Sequence, residues 1–159
     1  PLRIKTWIIN ELETSMVLYF TNITRGSSQI EKEKKSLLHD KGSLEAMHEV
    51  KEDSIKMKEL LLKGNLKSFA NMLGKSWKAK KRVSNSISNN EIDRIYDLAM
   101  DNGAYSGKVS GAGGGGFMFF MVEPTRKLQL INELNKQKGA VFNFEFVKGG
   151  TRCWKINNS

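Results

Sequence analysis

The chain has one cysteine, two prolines and two histidines among its 159 residues, and no long apolar run. Cys153, alone, cannot form an intrachain disulfide, which points to a reducing, cytoplasmic setting. Two histidines, His39 and His48, with that one cysteine fall short of a structural zinc site, and no metal ligand set is identifiable. His48 falls in a helical stretch beside its apolar face, where partial burial is expected of it. The longest continuous apolar stretch, Phe117 to Val122, is far shorter than the roughly 20 residues that span a bilayer, so no membrane segment is expected. No secretory leader is recognisable. The chain opens on Pro1, not Met, which suggests a processed or truncated piece of something larger. Its length suits a single domain with a real core.

Charge is present in excess of one sign. The net charge is +9, and the excess is uneven: residues 1–50 balance seven cations against seven acids, whereas 51–100 carry eleven against six. Lys75, Lys78, Lys80, Lys81 and Arg82 supply much of it. Such a patch suits nucleic acid or an acidic partner, and equally a merely solvated helix face. Trp77 is the only aromatic inside the run, too sparse for a base-stacking platform.

Glycine is concentrated in one place. Gly111-Ala112-Gly113-Gly114-Gly115-Gly116 follows Lys108-Val109-Ser110 and leads straight into Phe117-Met118-Phe119-Phe120-Met121-Val122. Gly111, Gly113 and Gly116 satisfy G-x-G-x-x-G, but the dinucleotide fingerprint requires a helix next, and the apolar run bounded by Gly and Pro reads as a strand. A Walker A loop requires Lys and Ser/Thr after the last glycine, where Phe117 stands. What remains is strand, glycine loop, strand. It reads either as a cradle of bare N–H groups for an anion or as a plain glycine-rich hairpin.

Around that loop the periodicity gives a chain order. Ile4 to Ile9 is ambiguous between strand and helix, while Thr14 to Phe20 is rich in β-formers and reads as a strand. Ser28 and Glu31 have capping-box spacing for a polar helix. From Ser43, the spacing of Met47, Val50, Ser54, Met57 and Leu61 predicts a helix ending near Gly64. Asn65 caps a second, with Leu66, Phe69, Ala70, Leu73 and Trp77 inward. Lys78 to Asn90 reads as a basic connection, and Glu91 to Asp101 as a third helix with Ile92, Ile95, Tyr96 and Ala99 inward. Tyr105–Ser110 and Phe117–Val122 are strands. Pro124 starts a helix with Leu128, Ile131 and Leu134 inward, Val141–Val147 is a strand, and Arg152–Ile156 a short last one.

Counted from Thr14, this is β, a helical block, β, β, α, β. The expected fold class is α+β: a ferredoxin-like (split βαβ) sandwich, with an antiparallel sheet on one side, helices on the other, and a helical insertion between the first and second core strands.

The string Lys108 to Phe117 resembles the third conserved motif of the GHMP small-molecule kinases, which lies between two strands of their ferredoxin-like C-terminal domain. Within that superfamily the likeness is closer to the heptose 7-phosphate kinases. Leu18-Tyr19-Phe20-Thr21-Asn22-Ile23-Thr24-Arg25 resembles their strand ending in an aromatic, Thr and, four residues on, Arg; Gly149-Gly150-Thr151-Arg152 points the same way. The resemblance implies that residues 1–159 are a C-terminal domain working with an N-terminal one. It implies ATP-dependent phosphorylation of a sugar hydroxyl, the anomeric oxygen of a heptose 7-phosphate, with magnesium as in phosphoryl transfer generally. It places Ser110, Gly111, Ala112, Gly113, Gly114, Gly115 and Gly116 at the phosphates and the sugar. Arg25 then pairs with a sugar phosphate or lies on the surface, Lys108 contacts ligand or points to solvent, and Thr21 and Thr24 touch ligand or finish turns. The family's P-x-x-x-G-L-G-S-S-A-like nucleotide loop occurs nowhere in this chain, and the family places it, with the catalytic acid, in the N-terminal domain. The implied partners are therefore ATP, a sugar phosphate and that domain, and the chain alone is expected to be inactive.

A rival of another class is an RNA-recognition module. It shares the βαββαβ order, and Gly116-Phe117-Met118-Phe119-Phe120 resembles its aromatic third strand. Against it, about eighty residues separate Phe20 from Tyr105, and no second aromatic stands at a matching position with the usual flanks. A non-catalytic interaction domain is a third reading.

Overall fold

A computed structural model describes residues 2–23, 40–147, 149, 150 and 153. The expected helix near Ser28, most of the expected last strand, Thr24, Arg25 and His39 lie outside these residues. The described elements are α1 (Thr6–Thr14), β1 (Met16–Phe20), α2 (Lys41–Leu62), α3 (Leu66–Val83), α4 (Asn90–Asp101), β2 (Ala104–Val109), β3 (Phe117–Val122), a 3-10 turn (Pro124–Arg126), α5 (Lys127–Asn135) and β4 (Ala140–Phe142).

The four strands form one antiparallel sheet in the order β2-β3-β1-β4. β1 and β3 are central, paired from Met16 with Met121 to Phe20 with Phe117. Because side chains alternate across a strand, Val17, Tyr19, Met118, Phe120 and Val122 share one face. There they are buried against Ile92, Ile95 and Ala99 of α4 and Leu130 and Leu134 of α5. Tyr19 adds a polar tie within this core, its hydroxyl accepting from the Gly139 N–H at 2.9 Å. The other face is partly covered too. Met121 packs with Ile8 and Leu12 of α1 and with Leu66, Ala70 and Leu73 of α3. The expected two-layer arrangement is thus incomplete, because the ambiguous Ile4–Ile9 stretch is largely helical and covers part of the second face. Farther along that face, Phe20, Phe117 and Phe142 form an aromatic cluster with centroids 5.0 to 6.4 Å apart. Phe117 and Phe142 in it are exposed.

Helices α2, α3 and α4 occupy the interval between β1 and β2, and α3 packs along β2. Gly74 permits the approach, since a Cβ there would stand 3.1 Å from the Ser106 Cβ. Each of these helices has a side-chain cap, the one at Asn65 as expected: Asp40 accepts from the Ser43 N–H, Asn65 from Ser68, and Asn89 from Glu91 and Ile92.

Five expectations are corrected. The inward stripe of α2 includes Ser43, Ala46 and Asp53, while Met47 is exposed. Polar residues can line it because the Ser43 hydroxyl donates to the Val83 carbonyl and Asp53 meets Lys75. His48 is exposed as well. α3 runs on to Val83 where a connection is expected from Lys78: buried Ala79 and Val83 extend its apolar side, and Lys80, Lys81 and Arg82 suit the negative end of the helix. In α5, Leu128 points outward and Leu130 inward: the buried face runs through Leu130 and Leu134, four residues apart, and Leu128 stands more than half a turn from Leu130. β4 stops at Phe142, and the Phe146 N–H turns to the Glu13 carboxylate in place of a strand carbonyl.

Candidate functional site

The glycine run connects β2, at the sheet edge, to β3 in its interior, so two rigid strands fix both ends of the loop. The Ser110 N–H donates to the Phe117 carbonyl at 2.7 Å and closes its base. Gly111, Gly113, Gly114, Gly115 and Gly116 all have positive φ, from 73° to 154°. That conformation is disfavoured for residues with a Cβ, so the backbone path itself requires glycine.

Three other segments hold the loop from behind. Gly114 N–H donates to the Ile87 carbonyl and Gly116 N–H to the Ile23 carbonyl, both at 2.8 Å. The Gly116 carbonyl accepts from both the backbone N–H and the hydroxyl of Thr21, each at 2.9 Å. Lys80 Nζ donates to the Gly111 carbonyl at 2.6 Å, and Asn89 Nδ2 to the Gly114 carbonyl at 3.3 Å. Gly113 and Gly115 also make room for this packing: a Cβ on Gly113 would lie 2.8 Å from the Ile87 carbonyl oxygen, and one on Gly115 would strike that of Ile23. Gly111 and Gly116 face open space.

Two of the loop's N–H groups are thus consumed internally. Among the described residues, those of Gly111, Ala112, Gly113 and Gly115 have no acceptor. Four main-chain donors left without an internal acceptor on one tethered loop are available to an anion.

Of the flanking candidates, Ser110 is exposed at the loop entrance. Lys108 is half-buried on β2, with its Nζ 5.9 Å from the centre of the Phe119 ring. Burial holds its pKa below the usual lysine value. Thr21 is buried and serves the loop as an anchor. Arg25 lies outside the described residues.

The basic run of α3 is largely spent inside the molecule. Lys75 pairs with Glu49 and Asp53, both at 3.4 Å, Arg82 with Glu49, and Lys81 with Asp93 at 2.9 Å. This supports the solvated-face reading over a nucleic-acid footprint. A cavity of about 680 Å³ lies at the other end of β1 between Met16, Val17 and Lys127, away from the glycine loop. No group of three acidic, histidine or cysteine side chains suited to a metal occurs among the described residues. Nor is any helix there long and apolar enough to cross a membrane.

Sequence reasoning missed Lys80, Ile87 and Asn89 as parts of this site. Lys80 had been counted with the charge patch, and Ile87 and Asn89 with a connection. Local pattern carries no sign of hydrogen bonds to a loop 25 or 31 residues away.

A family model described as GHMP kinases C terminal matches residues 57–140. A D-glycero-alpha-D-manno-heptose 7-phosphate kinase of Campylobacter jejuni is 58% identical over 156 residues, covering 98% of this chain and 46% of that protein. A crystal structure of a sugar kinase from Campylobacter jejuni matches with a TM-score of 0.69 and 54% identity, over 98% of this chain and 43% of the other. A D-glycero-D-manno-heptose 1-phosphate kinase from Bacteroides thetaiotaomicron matches with a TM-score of 0.67 and 37% identity, over 99% and 41%. The chain spans less than half the length of these relatives.

Proposed function

Because the chain belongs to the GHMP kinase family, as its C-terminal domain, we propose that it is the substrate-side half of an ATP-dependent sugar kinase acting on the anomeric hydroxyl of a heptose 7-phosphate. The observation that carries this reading is the set of four unused N–H donors on the tethered glycine loop. The substrate is suggested by the relative that is 58% identical. The strand order β2-β3-β1-β4 and the order of the elements support a ferredoxin-like, split βαβ frame, with α2, α3 and α4 as the insertion.

Phosphoryl transfer asks the protein mainly to position phosphates and to balance developing charge. Gly111, Ala112, Gly113 and Gly115 would donate from the main chain to phosphate or sugar oxygens, with no side chain to hold the ligand off. Ser110 would add a hydroxyl at the entrance. Lys108 and, by resemblance, Arg25 would face a sugar phosphate, where a guanidinium can pair with two oxygens at once. ATP would supply the transferred phosphoryl group, and magnesium would balance its charge, as in phosphoryl transfer generally. The nucleotide loop and the catalytic acid would come from an N-terminal domain, working in the cytoplasm as the lone cysteine suggests. The test is a coupled assay with heptose 7-phosphate and MgATP. The full-length kinase is expected to turn over, and residues 1–159 alone are not. Robust turnover by residues 1–159 would sink the reading of a half-enzyme.

A further inference from the structure

We infer that Lys80 and Asn89 are positioning residues that aim the N–H groups of Ala112 and Gly115 at the bound phosphoryl oxygens. The inference rests on the proposed kinase function and deepens it. Its basis is the geometry of the peptide unit. In a trans peptide the C=O of one residue and the N–H of the next lie in one plane and point in opposite directions, and no cis peptide occurs among the described residues. Lys80 Nζ holds the Gly111 carbonyl toward α3 at 2.6 Å. The N–H of Ala112, on the same peptide plane, is therefore turned away from α3. Asn89 Nδ2 holds the Gly114 carbonyl toward the start of α4 at 3.3 Å, so the N–H of Gly115 is turned outward in the same way. Both N–H groups are among the four without an acceptor among the described residues.

The arrangement addresses a specific weakness of glycine loops. A peptide next to glycine rotates at smaller cost, since glycine has no Cβ to resist: the Gly114–Gly115 peptide has glycine on both sides, and the Gly111–Ala112 peptide on one. A donor that swings is a poor electrostatic stabiliser, because catalysis gains from donors already oriented where charge develops. Lys80 and Asn89 remove that freedom at the two peptides they hold. Asn89 does so while capping α4 with its Oδ1, so one side chain fixes the helix start and the loop together.

The test uses the full-length kinase and the variants Lys80→Met, Lys80→Arg and Asn89→Asp. Aspartate retains the capping oxygen, loses the N–H donor and sets a carboxylate oxygen against the Gly114 carbonyl, which pushes that carbonyl away. Lys80→Met and Asn89→Asp are expected to lower kcat about tenfold, with KM for heptose 7-phosphate changed less than about twofold, since misaimed donors weaken the transition state more than the ground state. Lys80→Arg, which still donates, is expected to restore most of kcat. Lys78→Ala, on an exposed position of the same helix, is expected to match the wild type. Unchanged kcat in Lys80→Met and Asn89→Asp overturns the inference, and so does a Lys80→Arg enzyme as slow as Lys80→Met. If the wild type phosphorylates no heptose 7-phosphate, the functional reading fails on its own. The inference is then decided by the Ala112 and Gly115 amide resonances of the full-length chain during titration with inorganic phosphate. They are expected to shift in the wild type and to stay in place in Lys80→Met and Asn89→Asp; resonances that do not move in the wild type overturn it.

Discussion

Gly113 and Gly115 look inward, where a Cβ would run into the carbonyl oxygens of Ile87 and Ile23, whereas Gly111 and Gly116 look onto open space. All four have positive φ. The inner pair is therefore glycine twice over, for conformation and for room, and the outer pair for conformation alone. A glycine run of this kind is part fastening and part binding surface, and its two uses can be separated by substitution.

The largest effect is expected where both demands apply. Gly115→Ala and Gly113→Ala each add left-handed strain to a backbone clash, together about 3 kcal/mol. Thermal denaturation is expected to show a marked fall in Tm with loss of turnover; a wild-type Tm would mean that the inner glycines are not packed as described. Gly111→Ala, with open space around it, is expected to lose only about 1 kcal/mol, and a loss equal to that of Gly115→Ala would erase the distinction. Thr21→Val removes the hydroxyl donor to the Gly116 carbonyl while the Thr21 backbone N–H stays bound to it, so a loss of about 1 kcal/mol or less is expected in urea titration. The smallest effect concerns Lys108. Its folded pKa lies below the ordinary 10.5 because of burial, so between the two values the unfolded chain binds more protons than the folded one. Stability contributed at this site therefore rises with pH through that window. Lys108→Met is expected to flatten the rise when unfolding is followed across alkaline pH.

Much of the frame was legible in the sequence. The cap at Asn65, the inward face of α4 and the strands on either side of the glycine run all follow from local pattern, because caps, periodicity and β-branched or aromatic enrichment act over a few residues. The stripe of α2 was misread because a search for apolar residues passes over Ser43 and Asp53, whose burial depends on partners in α3. Leu128 was misassigned because a spacing of three, Leu128 to Ile131 to Leu134, is as helical as the spacing of four from Leu130 to Leu134 that packs on the sheet, and local pattern does not choose between them. Within the site, the glycines announced themselves and their fastenings did not. A lysine in a charge run and an asparagine at a helix start have ordinary local explanations, and only the tertiary fold brings Lys80 and Asn89 to the loop.

The fastenings also bear on when the loop can form. The Thr21 hydroxyl and the Gly116 carbonyl are 95 positions apart in the chain, and Lys80 and Gly111 are 31 apart. Contacts of such long sequence separation carry a loop-closure cost and are slow to form. The glycine loop should thus be among the last features to assemble, so that a partly folded chain holds the right residues and has no anion cradle. Hydrogen exchange at the Gly114 and Gly116 amides would report that late event, separately from the helices that precede it.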